Sequence, residues 1–306
     1  MSACLGSWST WNGAPLRTLL ISLLLATTLL GAASAQEADP YVRYRPAAGQ
    51  LEVAVSTFRH PQTQVEVQLY GVVHIADADY YEAVQRDLDR CDVVLYELIK
   101  SERPEQATRA ERELGREVDV GRTLADLLGF EHQLEALDYT RKHWVHADMS
   151  HEQVQAALGE RARELDVLGR PSTSETTAQL RDVIRQAKDL GKALLDVFPG
   201  LRVKAKQTLA ELLCEDEGKP RPHDRQTDVI VYQRNAHVMK VLRQQLQTRR
   251  RGKVAIFYGA GHHADLAVRL RKLGWQQSSK RWVRAWQIGA AQSKAPAKTQ
   301  PKVYDF

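Results

Sequence analysis

Two histidines occur in the same local pattern, each three residues after a glycine that closes a run of strand-forming residues. The patterns are GVVH at Gly71–His74 and GAGH at Gly259–His262, and each is followed by residues typical of a helix. Glycine permits the tight backbone turn that a strand-to-helix junction can require. The two histidines are therefore expected at the carboxyl edge of a sheet, where open α/β folds place their sites.

An acidic residue extends this pair of histidines into a set of groups with a defined chemistry. Glu97 ends the short β-rich run DVVLYE, which follows the helix predicted after the first GxxH motif. Imidazole and carboxylate groups together suit a divalent metal ion such as Zn²⁺, Mn²⁺ or Co²⁺. The pattern thus predicts a site for a divalent metal ion, whereas one GxxH motif standing alone would favour an ordinary turn histidine.

The surrounding sequence predicts alternating strands and helices. Apolar and polar residues alternate in the first two strand-like segments, later ones are continuous apolar runs of the buried type, and apolar residues recur every three or four positions in the helical segments. The predicted strands are 51–59, 64–71, 92–97, 253–258 and 281–288. The predicted helices are 80–90, a helical region at 121–143, one opened by a capping box at Ser150 and Gln153, and then 178–197, 203–214, 227–247 and 264–274. The segment 167–175 is rich in glycine, proline and hydroxyl residues, which predicts an exposed loop.

The amino terminus has the features of a secretory signal peptide. Arg17 precedes the apolar run 18–30, and the small residues Ala33–Ala35 follow it. Cleavage is expected near Ala35-Gln36, which predicts a periplasmic or secreted protein with no stable membrane span. The alternative is an uncleaved anchor, but the run reaches the roughly 20 residues of a spanning helix only if its Gly-Ala-Ala-Ser-Ala exit is included. The expected organisation is a signal peptide at 1–35, one domain at 36–290 and a disordered basic tail at 291–306.

Charge and cysteine content limit the possible classes of function. The formal net charge is +5, and part of it comes from the basic run Arg249–Arg251. This run has no interleaved aromatic residues and no nucleic-acid-binding motif accompanies it, so we expect no nucleic-acid partner. Only Cys91 and Cys214 remain after the signal peptide, and two cysteines do not make a disulfide framework. Whether these two pair is left open by the sequence.

The chain resembles the TraB/PrgY/GumN group, which belongs with the Tiki, erythromycin-esterase and ChaN-like proteins in one superfamily. The resemblance rests on GVVH ending at His74, LYE ending at Glu97, QRN ending at Asn235 and YGAGH ending at His262. The segment 137–150, LDYTRKHWVHADMS, is also similar to the group's Asp-Met stretch before a capped helix. The similarity spans roughly residues 50–290. It implies an α/β fold with a mixed central β-sheet, flanking helices and a helical insertion.

The resemblance also implies a metal-dependent site and a role for each matching residue. His74 and His262 are the expected metal ligands. Glu97 is expected either to assist them as a ligand or to act as general base. Arg234 would hold Glu97 or an anionic transition-state oxygen, although the two could instead form a purely structural ion pair. Asn235 would orient a ligand or the substrate.

Other polar residues near these motifs have simpler interpretations. Asp77 and Asp79 are expected to cap the helix that follows the first motif, with a metal contact as the alternative for Asp77. His263 is expected to be a surface neighbour or a supporting residue of the site. His143 and His146 lie three residues apart, so a helix would bring them together, but no third ligand accompanies them. We expect them to be exposed at a helix end.

Together these observations predict an exported metal-dependent hydrolase that uses the paired GxxH histidines. Its expected substrate is a peptide, because the Tiki branch has peptidase activity, or otherwise a small molecule. The alternative is a haem-, iron- or peptide-binding protein of the same fold without turnover. Tyr70 and Tyr258 could serve a haem. An open metal position and a base would favour hydrolysis, whereas an apolar slot would favour haem.

Overall fold

The computed structural model describes residues 40–102, 120–159, 191–215 and 224–289. These residues all belong to one compact unit that begins at Pro40. The expected signal peptide, the loop at 167–175 and the basic tail lie outside the described residues. So does the first part of the helix expected at 178–197, of which residues 191–197 are described and are helical.

The described part of the chain forms an α/β fold around a mixed seven-stranded sheet, as the sequence predicts. The strand order is β1-β2-β3-β8-β5-β7, and β9 pairs along the other edge of β2. Strands β4 and β6 form a separate two-stranded sheet. The strands are β1 (Val42–Arg45), β2 (Gln50–Arg59), β3 (Gln64–Val72), β4 (Ile75–Ala76), β5 (Val93–Tyr96), β6 (Glu131–His132), β7 (Trp144–His146), β8 (Arg251–Gly259) and β9 (Gln276–Gln287).

The helices pack on both faces of this sheet. They are α1 (Ala78–Leu88), α2 (Val120–Leu128), α3 (Gln133–Ala136), α4 (His151–Leu158), α5 (Pro199–Glu215), α6 (Arg234–Gln247) and α7 (Ala260–Lys272). A short helix, Arg225–Thr227, and a π-helical segment, Asp228–Gln233, lead directly into α6. Alternate residues of each strand point to opposite faces, so Ala255 and Phe257 of β8 pack with α1 while Val254 and Ile256 pack with α6 and α7.

Four neighbouring strands of the sheet, β3, β8, β5 and β7, run parallel to one another. Strand β8 pairs in parallel with β3 and β5, and β5 pairs in parallel with β7. Their carboxyl ends therefore lie along the same edge of the sheet. His74 follows β3, Glu97 follows β5 and Asp148 follows β7 by two residues, while β8 leads directly into the first turn of α7, which contains His262. This topology places the predicted site residues together.

The expected turn role of the two motif glycines is wrong. Gly71 is a strand residue paired with Tyr258, and Gly259 has φ of −51° and ψ of 143° at the start of α7, so neither uses a left-handed conformation. At both glycines, a neighbouring side chain approaches the backbone closely. A Cβ on Gly71 would lie 2.6 Å from His263 Nδ1, and one on Gly259 would lie 3.3 Å from Glu97 Oε2. A side chain at residue 71 would overlap the buried His263 ring, whereas one at residue 259 would require the Glu97 carboxylate to move by a few tenths of an ångström.

The helical region expected at 121–143 is only partly present. Helix α2 ends at Leu128, and Gly129 follows with φ of +70°, a left-handed conformation that favours glycine and ends a helix. The short β6 and α3 come next, and β7 occupies 144–146. His143 therefore directly precedes a strand and His146 is its last residue, and both are half-buried instead of exposed at a helix end. Their Nε2 atoms face the backbone oxygens of Leu88 and Leu98, at 3.3 and 2.7 Å.

Two other local predictions concern helix starts and membrane segments. Helix α4 begins with the expected capping box, since Ser150 Oγ accepts from Gln153 N–H and Gln153 Oε1 accepts from Ser150 N–H.

In the described ranges, none of the helices combines the length and the apolar character needed to cross a lipid bilayer. Cys91 is a buried free thiol and is not joined to Cys214.

Helix α5 carries a buried lysine next to the loop that follows His74. Lys206 is 2% exposed, and its Nζ lies 3.9 Å above the ring of Phe130. Among the described residues it finds no hydrogen-bond partner. Burial lowers the pKa of Lys206 to about 8, despite the nearby charge of Asp77. The folded protein therefore holds an ammonium group with little compensation at neutral pH.

Replacing Lys206 by Met should stabilise the fold at pH 7. Between pH 8 and about 10.5 the unfolded chain binds this proton and the folded chain does not, so the wild-type free energy of unfolding should rise with pH across that window. The gain from Lys206→Met at pH 7 should reach at most about 3 kcal/mol, since each pH unit corresponds to about 1.4 kcal/mol. Urea unfolding between pH 7 and 10.5 measures both effects. Exposed Lys204→Met is the matched control, and an equal response in the two variants would contradict the account.

Candidate active site

Glu97 lies at the centre of the carboxyl edge and contacts each neighbouring functional group. Its Oε1 accepts from Arg234 Nη2 at 2.6 Å and lies 3.4 Å from His262 Nε2. Its Oε2 accepts from the backbone N–H of Gly259 at 2.6 Å. The side chain is 11% exposed. The carboxylate is therefore held at both oxygens by groups from two different elements.

Arg234 is fixed in turn by Asp148, a residue that the sequence analysis did not single out. Arg234 Nε and Nη2 donate to the two oxygens of Asp148 at 2.8 and 2.6 Å, which is a bidentate pair. The Asp148 side chain is completely buried and also accepts from the N–H of Met149. The only signal for it in the sequence is its place in the Asp-Met stretch at 137–150 that resembles the TraB group.

A π-helical segment, Asp228–Gln233, ends directly before Arg234. A π turn leaves carbonyl groups without their usual helical partners and is frequent at functional sites. Here the Ile230 oxygen accepts from Arg234 Nη1 at 3.3 Å. Arg234 and Asn235 are both buried at the start of α6, with 5% and 0% exposure. The sequence analysis predicted one continuous helix at this point and missed the π turn.

His262 has a protonation pattern that its neighbours dictate. Asn235 Nδ2 donates to Asp265 Oδ2 at 2.8 Å and to the His262 backbone oxygen at 3.4 Å. Both partners only accept, so the Asn235 amide is oriented with Oδ1 towards His262 Nδ1, at 2.7 Å. His262 therefore donates from Nδ1. Its Nε2 faces the acceptor Glu97 Oε1, and a proton or a cation between these two atoms is needed to make the contact favourable.

His74 approaches the same place from the other side of Gly259. Its Nε2 lies 3.5 Å from the position that a Cβ on Gly259 would occupy, and Glu97 Oε2 lies 3.3 Å from that point. Its Nδ1 faces Gln133 Oε1 at 3.2 Å. Unlike His262, His74 is exposed. The site thus has one buried and one solvent-facing imidazole, both with Nδ1 next to an amide oxygen.

The charges of this cluster are mutually stabilised. Burial alone would raise the pKa of Glu97, but the neighbouring His262, Arg234 and His74 groups hold it well below its usual range. Burial disfavours the charged form of Arg234 and by itself would lower its pKa. The hydrogen bonds to Asp148 and the negative charge of Glu97 outweigh this effect and raise the pKa of Arg234. Glu97 and Arg234 consequently remain ionised throughout the physiological pH range.

Two of the predicted candidates lie outside this cluster. Asp77 stands at the N-cap position of α1, but its side chain makes no capping bond; its Oδ2 accepts from Gln287 N–H at 2.5 Å. His263 is 1% exposed and stacks on Tyr41, with its Nε2 3.2 Å from Ser56 Oγ. Burial lowers the pKa of His263 well below its usual range. Both residues support the fold around the sheet.

The two tyrosines considered for haem binding are engaged elsewhere. Tyr258 donates its hydroxyl to the Ala147 oxygen at 2.6 Å, and Tyr70 donates to Gln68 Oε1 at 3.1 Å. Both side chains are buried, with 1% and 2% exposure. Binding a haem iron through either oxygen would require these bonds to break.

The donor atoms at this edge fit a divalent ion by type. Two imidazole Nε2 atoms and one ionised carboxylate are the ligands that Zn²⁺ or Mn²⁺ takes in proteins. The distances between these donor atoms do not yet match a coordination shell. Within the ranges that the structure describes, no three His, Cys, Asp or Glu side chains form a group that could hold a metal. Compared with protein-family models, with curated proteins and with solved structures, the chain shows no match.

Removing Asp148 should destabilise the protein strongly. Asp148→Ala leaves the buried Arg234 guanidinium without its bidentate partner, and breaking a buried pair in this way costs about 3–5 kcal/mol. Urea unfolding measures the change. Glu82→Ala is the control, because Glu82 and Arg86 form an exposed pair at 3.6 Å that should contribute less than about 1 kcal/mol. A loss in Asp148→Ala as small as in the control would show that the buried pair does not hold the site together.

Proposed function

We propose that this protein is an exported metal-dependent hydrolase and that its substrates are peptides. The site consists of His74, Glu97, Arg234 and His262, with Asn235 and Asp148 as supporting residues. It lies at the carboxyl edge of the parallel strands, where α/β folds commonly bind substrates. Export follows from the signal-peptide pattern at 1–35, and the peptide substrate rests on the resemblance to the Tiki branch.

The observation that carries the proposal is the convergence of the two histidines on Glu97. His262 Nε2 lies 3.4 Å from Glu97 Oε1, and His74 Nε2 and Glu97 Oε2 both border Gly259. Each Nδ1 faces an amide side chain, Gln133 for His74 and Asn235 for His262. In metal sites, a hydrogen bond from the second ring nitrogen fixes the tautomer and orients the ligating nitrogen in this way. Structural turn histidines have no need of such an arrangement.

The residues of the site have separable roles in hydrolysis. His74 Nε2, His262 Nε2 and Glu97 would hold the ion, which when bound activates water and polarises the scissile carbonyl group. Because its pKa is lowered, Glu97 is a weak base, and this favours the ligand role over the general-base role. Arg234 keeps Glu97 ionised and oriented through the bond to Oε1. Asn235 keeps the proton of His262 on Nδ1.

Metal content and peptide hydrolysis of the purified protein test the proposal. The protein is freed of metal, loaded with Zn²⁺, Mn²⁺ or Co²⁺, and assayed with a library of unstructured peptides. His74→Ala and His262→Ala should each lose stoichiometric metal binding and lower peptide cleavage by at least about 100-fold, since each removes a ligand. His151→Ala is the matched control, because this exposed imidazole lies on α4 outside the site.

The possible outcomes separate the alternatives. Metal bound through both histidines without cleavage of any peptide would leave a metal-binding protein and reject the hydrolase. Cleavage that persists in both variants, or protein that takes up none of the three ions, would reject the metal site itself.

A further inference from the structure

Exposed apolar side chains are concentrated on helix α5 and on the helical segment 191–197 before it. Nine large apolar side chains are exposed in the described part of the chain, and six of them fall between residues 194 and 213. These six are Leu194, Val197, Phe198, Leu201, Leu212 and Leu213, with exposures of 38% to 68%. Single exposed apolar residues are normal, whereas a cluster of them marks a contact surface.

The centre of this cluster is the apolar tip, residues 197–201, where the segment 191–197 meets α5. Val197 is 68% exposed and Phe198 is 55% exposed, and a Cβ added to Gly200 would meet no atom within 4 Å. The backbone N–H groups of Phe198 and Leu201 are already bonded within the chain, to the oxygens of Leu194 and Phe198 at 2.9 Å each. Burial of the tip in an apolar medium therefore leaves these two donors satisfied.

The charges that flank the apolar tip are mainly positive. Lys192 and Lys204 are exposed, and neither forms an ion pair with a carboxylate in the described ranges. Between them the one acidic residue is Asp196, whose Oδ1 accepts from Arg202 Nη2 at 2.6 Å. Apolar side chains between free cations complement a surface with an apolar interior and an anionic exterior, which is the character of a bilayer with anionic headgroups.

A second copy of the chain fits this surface less well. Two-fold association places the same patch on both chains, so it would bring Lys192 and Lys204 of each chain to one interface. Like charges that face each other across an interface weaken binding. Charge complementarity therefore favours a lipid surface over self-association.

We propose that the apolar tip binds peripherally to membranes that contain anionic phospholipid. Val197, Phe198 and Leu201 enter the boundary between headgroups and acyl chains, and Lys192 and Lys204 contact the headgroups. This binding does not depend on the proposed hydrolase function, because none of these residues belongs to the candidate active site.

Co-sedimentation with lipid vesicles tests the proposal. The chain from Gln36 is used, which contains the whole compact unit that begins at Pro40 and excludes the apolar run 18–30. It should bind vesicles of mixed phosphatidylcholine and phosphatidylglycerol. Val197→Ser and Phe198→Ser should each weaken this binding by at least about 10-fold, since burial of one such side chain contributes at least that factor. Val268→Ser is the matched control, because Val268 is 44% exposed on α7, and its binding should be unchanged.

The lysines supply a second readout. The double variant Lys192→Gln/Lys204→Gln should bind the mixed vesicles about 10–30-fold more weakly, since each lysine near an anionic surface contributes about fivefold. It should bind pure phosphatidylcholine vesicles as the wild type does. The control is Lys240→Gln/Lys272→Gln, which removes two exposed lysines on α6 and α7 and should have a much smaller effect.

Three outcomes would overturn the proposal. The first is a wild type that binds neither kind of vesicle, and the second is vesicle binding that both serine variants retain. The third is a wild type that binds no vesicles but forms dimers that Phe198→Ser dissociates, which would assign the apolar tip to a second copy of the chain.

Discussion

The buried ion pair between Arg234 and Asp148 determines the geometry of the site. Asp148 engages the guanidinium at two nitrogens and leaves Nη2 directed at Glu97 Oε1. Two charged groups at 5% and 2% exposure are costly to bury unless their hydrogen bonds are satisfied. The π turn before α6, the short path from β7 to Asp148 and the position of Glu97 after β5 together satisfy them. A carboxylate held in this way offers a fixed negative charge to the two imidazoles beside it.

The site has a buried half and a solvent-exposed half. The buried half of the site contains His262, Asn235 and Arg234, whose side chains are held by hydrogen bonds within the protein. The exposed half consists of His74, which is fixed through Gln133. A substrate reaching the sheet edge would meet His74 first, with the charged cluster behind it. This is the arrangement expected of a site in which the protein supplies orientation and electrostatic stabilisation.

The sequence predicts the fold and much of the site, for identifiable physical reasons. Alternation of apolar residues located β2 and β3, and a continuous apolar run located β8, each within two residues at either end. The GxxH motifs located the sheet edge. The partners of those histidines could not be found in this way, because Asp148 and Gln133 reach the site through strand pairings distant in sequence. The role of the motif glycines could not be predicted either. His263 lies too close to Gly71 for a side chain, and Glu97 packs tightly against Gly259. Such close approach depends on tertiary packing and leaves no local signal in the sequence.

The central claim, that both GxxH histidines and Glu97 form one cation site, is tested most directly by crystals grown with Mn²⁺. An anomalous difference map should show a single strong peak about 2.1 Å from the Nε2 atoms of His74 and His262, with Glu97 next to it. A peak at any other place, or none at the sheet edge at full occupancy of Mn²⁺ in solution, would contradict the account and leave Glu97, Arg234 and His262 as a structural ion-pair network.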